Sequence, residues 1–156
     1  MDFKEFRDRF ALFIEDWQNK RASIPLAAAT DASSVAKNRV IQKGISSVGS
    51  VFGNYAESTK KRKKKKGRTN APFPKINFSD TNTMWRTSLP KVAKVTANEV
   101  VITIEPTDTE RAKIMGIHNK RFKDKGKLLA LNKQEIENVQ NDYKDELVDT
   151  FKKYFP

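Results

Sequence analysis

The sequence predicts an α+β fold, in which N-terminal helices and a long C-terminal helix pack on an antiparallel sheet of three to four strands and a long basic loop interrupts the chain. Three observations carry that expectation. Val92, Val95, Val100, Val101, Ile102 and Ile104 fall in two β-branched runs parted by Thr96-Ala97-Asn98-Glu99, the pattern of an antiparallel hairpin with a short polar turn. Both ends of the chain repeat large apolar residues every three or four positions, the spacing of an amphipathic helix. Between them lies a run of lysine and arginine too highly charged to bury an apolar face of its own.

Taken in order, Phe3, Phe6, Phe10, Phe13 and Trp17, widened by Leu12 and Ile14, give residues 2–20 an aromatic helical stripe, with Pro25 as its outer limit. Such a face usually covers the molecule's own sheet; the functional alternative is a contact with a neighbouring subunit. After an alanine-rich connection, Thr30 or Asp31 is placed to cap a second helix. In it Ile41, Ile45, Val48, Phe52 and Tyr55 recur at helical spacing. Gly44, Gly49 and Gly53 interrupt this pattern, each costing ~1 kcal/mol relative to Ala in a helix interior. They mark either close approach of another backbone or a bend.

Residues 59–75 read as the basic loop, longer than most internal connections. Strands are expected at residues 85–89, 91–96 and 99–105, with a further one at 128–131, and Pro106 ends the hairpin. Asn132 and Glu135 have the spacing of a capping box. Ile136, Val139, Tyr143, Leu147, Phe151 and Tyr154 then line one face of the final helix. The chain reads as one domain: a helical part at 2–58, the basic loop at 59–75, a β-rich part at 76–131 and the last helix at 132–155.

Composition narrows the function classes. The net charge of +12 comes from 31 basic and 19 acidic residues. Eight of the cations are Lys60, Lys61, Arg62, Lys63, Lys64, Lys65, Lys66 and Arg68, and the remaining 23 basic residues nearly balance the acidic ones. The polyanion signal therefore belongs to one segment. There is no cysteine, which removes disulfides and thiolate metal sites. No apolar run approaches the ~20 residues of a membrane span. The charged first residues, Asp2, Lys4, Glu5, Arg7, Asp8 and Arg9, are unlike a signal peptide, so the chain reads as soluble and cytosolic.

Catalysis has little to build on. His118 is the only histidine, and no phosphate-cradling glycine loop, nucleophile elbow or zinc-binding helix pattern occurs. Asp108 and Glu110 form a D-x-E pair that a small Mg²⁺-dependent nuclease would use. The plainer expectation is a solvated segment in which Asp108 or Thr109 caps a short helix running toward Met115. No cofactor or metal is expected. The lysine run has three functional accounts: phosphate contacts that weaken steeply with salt, docking on an acidic protein surface, or recognition by nuclear import machinery. Near-uniform lysine lacks the forked geometry that reads bases.

Three short patterns flank the hairpin in a telling order: Asn82-Thr83-Met84-Trp85-Arg86-Thr87-Ser88 before it, Ile114-Met115-Gly116-Ile117-His118 after it, then Leu128-Leu129-Ala130-Leu131 ahead of the helix cap. That order resembles the virion-morphogenesis and tail-completion proteins of tailed bacteriophages, the head-tail joining or neck family. Its members show T-G-x-L-x-x-S, two strands, Y-A-x-x-H, an R-P-F-L-G-L-like segment and a long C-terminal helix. Ser88 and His118 keep the ends of the first two motifs, and Trp85 takes the Leu position. Leu128, Leu129 and Leu131 match the third, with Ala130 for its Gly. Asn82-Thr83 stands where Thr-Gly is expected, Ile114-Met115 replaces Tyr-Ala, and the Arg-Pro is lacking. About half the chain is covered.

The resemblance implies a noncatalytic structural virion protein that joins head and tail as a homo-oligomeric ring. Its partners would be copies of itself and other phage neck and tail proteins, with DNA in the channel as a further contact of the basic loop and no membrane partner. The alternative is a basic nucleic-acid-binding module that uses the lysine-rich loop.

Overall fold

The computed structural model describes residues 2–70, 72–78, 82–96 and 99–155. Its elements are α1 (Phe3–Lys20), α2 (Ser23–Asn38) continued by a π-helical turn (Arg39–Lys43), α3 (Glu57–Lys65), α4 (Thr83–Thr87), β1 (Ser88–Val95), β2 (Val100–Pro106), α5 (Thr109–Arg121) and α6 (Lys133–Lys152). The class is α+β, as expected.

The hairpin forms where the β-branched residues place it. β1 and β2 pair antiparallel from Ser88 opposite Pro106 to Val95 opposite Val100, with a bulge between Val92 and Lys94. Beyond the strands the Thr96 N–H donates to the Glu99 carbonyl at 2.8 Å; the turn residues Ala97 and Asn98 lie outside the described residues. The sheet has two strands among the described residues, not three to four. Residues 83–87 are helical instead of extended, because Met84 and Trp85 are drawn together into the core. The Ser88 hydroxyl then donates to the Met84 carbonyl at 2.7 Å. Residues 128–131 form no strand either. The Leu128 N–H donates to Asn119 Oδ1 at 2.8 Å and the Ala130 N–H to the Lys127 carbonyl at 3.0 Å, so a turn satisfies backbone groups that a ladder would otherwise take.

The second helix starts earlier and ends earlier than its periodicity suggests. Pro25 sits in the first turn of α2, where a missing N–H costs nothing, so Thr30 and Asp31 are mid-helix and cap nothing. Gly44 ends the helical stretch at φ 63°. A side chain there would press on the Ile76 carbonyl and Lys75 at 3.1 Å, so this glycine both stops the helix and admits another backbone. Residues 45–55 are therefore irregular, with Ile45 bridged to Val51 and Asn54 to Lys75.

Small residues give α2 its place against the hairpin: Ala32, Ser33 and Ala36 are buried, and the Lys37 ammonium donates to the Ser88 carbonyl. It is α2, and not the first and last helices, that lies across both strands; α6 packs on α2. The aromatic face of α1 meets the end of α6 rather than the sheet. Phe13 contacts Phe151, Tyr154 and Phe155 at centroid distances of 5.6 to 6.0 Å, and Asp16 accepts from the Tyr154 hydroxyl at 2.9 Å.

The core gathers Val40, Phe52, Met84, Trp85, Met115 and Leu128, with Ile41, Ile76, Phe78, Ile114, Phe122 and Leu129 packed around it. The start of α6 is tied to the π-turn by a buried ion pair, Arg39 Nε to Glu135 Oε1 at 2.9 Å. Glu135 also closes the expected capping box with Asn132.

Candidate functional site

The lysine run folds into α3, where a loop was expected. Repulsion among its cations is offset by several local terms. Lysine is a good helix former. Glu57 stands in the first turn and pairs with Lys60 at 2.6 Å, while the cations crowd the C-terminal half, where the helix dipole favours positive charge. Gly67 closes the helix at φ 63°: its N–H donates to the Lys64 carbonyl at 3.1 Å and that of Arg68 to the Lys63 carbonyl at 2.9 Å, the paired bonds of a Schellman ending.

One member of the run anchors the rest. Lys63 is buried at 4% exposure, with its ammonium 4.8 Å above the Tyr55 ring, so its aliphatic stem supplies the apolar contact that the run otherwise lacks. Tyr55 is held in turn: its hydroxyl donates to Asn77 Oδ1 at 2.7 Å, and Asn77 Nδ2 donates to the Ile41 carbonyl at 3.2 Å. Lys61, Arg62, Lys64, Lys65 and Lys66 are exposed, and Lys60 and Arg68 are half-buried. Of the segment expected as the loop, Ala71 lies outside the described residues.

Two clefts flank this anchor. One, of about 450 Å³, is lined by Tyr55, Lys63, Arg68, Asn70, Phe73 and Lys75 among others. The other, of about 440 Å³, lies between α3 and α5 and is lined by Tyr55, Thr59, Arg62, Lys63, Phe78, His118, Arg121 and Phe122 together with Asn54, Ala56 and Ile76. His118 thus meets the basic run despite the 50-odd residues between them. Its ring lies 4.8 Å from that of Phe78. Burial, and secondarily the charge of Arg121, push its imidazole below the ordinary value, which favours the neutral ring. Its Nδ1 is buried with no hydrogen-bond partner among the described residues. Phe78 itself holds φ 53°, a left-handed conformation that a bulky residue adopts only at a cost.

The remaining motif positions divide cleanly. Trp85 and Leu128 are core, Leu129 packs against it, Ser88 is buried at the start of β1, and Leu131 is half-buried just before the Asn132 cap. Asp108 caps α5 by accepting the Arg111 N–H at 2.9 Å. No cluster of three metal-ligating side chains occurs among the described residues, and no helix among them is long and apolar enough to cross a membrane.

Tyr55, Phe78, Arg121 and Phe122 escaped the sequence reading as site residues. The available signal was the aromatic residues beside cations: Tyr55 just before the run, and Arg121-Phe122 three and four residues after His118 on the same helical face. Searched against family models, curated proteins and solved structures, the chain matches none of them.

Proposed function

We propose that this chain is a noncatalytic structural protein of a phage virion, joining head and tail at the neck as a homo-oligomeric ring. The observation that carries the reading is apolar surface left uncovered on one chain. Phe3, Phe6, Phe10 and Leu12 of α1, Ile136, Leu147 and Phe151 of α6, and Leu89, Val92 and Val95 of β1 are all exposed. Contacts between identical subunits would remove such faces from water. The ordered motifs around the hairpin supply the rest: the neck position, and partners among the connector and tail proteins. Particles assembled without the protein are the test. Heads and tails accumulating unjoined are expected, and normally joined particles would refute the reading.

A second reading, a nucleic-acid-binding module, is favoured by the ordered cationic helix. It predicts salt-sensitive binding by the isolated chain and no defect in joining.

A further inference from the structure

We infer that the cleft between α3 and α5 receives one unpaired nucleobase of a single-stranded nucleic acid, with the neighbouring phosphates lying along α3 and at Arg121. This rests on the second reading above and deepens it, naming the kind of nucleic acid and the cleft that receives it.

The cleft combines two surfaces that single-strand binding uses together, ring faces for stacking and cations for the backbone. Phe78, His118, Phe122 and Tyr55 contribute the rings, and Arg62 and Arg121 the guanidinium groups. Its volume of about 440 Å³ lies within the range of small-molecule pockets.

Three other occupants fit less well. A duplex keeps its base faces stacked on one another and has none to offer the rings. An acidic polypeptide answers the cations and leaves the aromatic floor without a purpose. A free nucleotide uses the cleft alone, whereas Lys61, Lys64, Lys65 and Lys66 continue the exposed charge over the C-terminal half of α3 and its cap, about 7.5 Å at 1.5 Å per residue. That length suits the phosphates on either side of one nucleotide step. Because stacking accepts every base and lysine reads none, binding should be nearly independent of sequence.

Fluorescence anisotropy with labelled oligo(dT), a duplex of equal phosphate number and polyglutamate tests the proposal, together with the NMR signals of the single histidine. Oligo(dT) should bind at least about ten-fold more tightly than the duplex. It should move the His118 ring signals, and it should lose affinity linearly on a log-log plot against salt. Arg121→Glu should weaken oligo(dT) binding about ten-fold. Thr59→Trp, which fills the cleft and leaves every cation in place, should bring oligo(dT) down to the duplex level; circular dichroism confirms that each variant is folded. Equal binding of duplex or polyglutamate, saturation by thymidine monophosphate as tight as by the strand, or unmoved His118 signals would each overturn it. The state of head-tail joining plays no part in these measurements, so the two proposals fail separately.

Discussion

Two sets of aromatic rings divide this molecule. In the inner set, Phe52 meets Phe78 at 4.8 Å and Phe122 at 5.6 Å, and Phe52 and Trp85 retain 4% and 2% of their exposure. In the outer set, Phe6, Phe10, Phe13, Phe151 and Phe155 also make ring contacts, at 4.8 to 6.3 Å, yet Phe6, Phe10 and Phe151 remain 45 to 50% exposed. Ring contact alone does not exclude water. The inner rings are roofed by other chain segments, with the Ile76 N–H donating to the Gly53 carbonyl at 2.8 Å and Tyr55 clamped by Asn77. The outer rings join α1 to the end of α6, with Phe13 and Phe155 half-buried and the others exposed. The first set fixes the fold, and the second leaves apolar surface open, the surface that the proposed subunit contacts would cover.

That contrast breaks most visibly at the inner set and its supports. Trp85→Ala should cost about 3–5 kcal/mol, and Glu135→Ala a similar amount, because it leaves Arg39 charged, buried and unpaired; urea denaturation at neutral pH measures both. In the outer set Phe13→Ala should cost only about 1–2 kcal/mol, from partial burial and lost ring pairs. Phe3→Ser, at a ring 83% exposed, should stay within about ±0.5 kcal/mol of the parent and lower self-association, measured by sedimentation. A Phe3→Ser protein with unchanged assembly would show that the tip of α1 is not part of a subunit contact.

The smallest expected effect concerns His118. Its folded pKa lies below the ordinary 6.5, so the unfolded chain binds the proton more readily. The stabilisation is complete above that value and is lost as pH falls through it toward the folded pKa. The urea midpoint should therefore decline between pH 7.5 and 5.5, and less so in His118→Gln.

Much of this was legible from local pattern. The hairpin, the helix of the α1 aromatic stripe, the Asp108 cap and the Asn132–Glu135 capping box each depend on residues close in sequence, and each formed as read, though the stripe meets the end of α6 and not the sheet. The failures share one cause, decisions taken by distant residues. Trp85 has strand propensity, yet packing beside Met84 and Leu128 made its segment a helix. Pro25 reads as a stop or a start with equal ease until the first turn of α2 is seen. The lysine run was misread because its repulsion is visible in sequence and its remedy is not: a single aliphatic stem laid on Tyr55, itself fixed by Asn77. For the same reason the cleft went unseen, since it joins residues from 54 to 122 that share no motif.

The seat of Lys63 has one more implication. Both of its sequence neighbours, Arg62 and Lys64, also have long aliphatic stems ending in a cation, so a one-residue slip of α3, a rotation of about 100°, would bring a serviceable substitute over the Tyr55 ring. Gain or loss of one lysine would then leave a cation-bearing stem at the anchor. Tract length would then alter the charge that α3 displays more than it alters the contact of the helix with Tyr55.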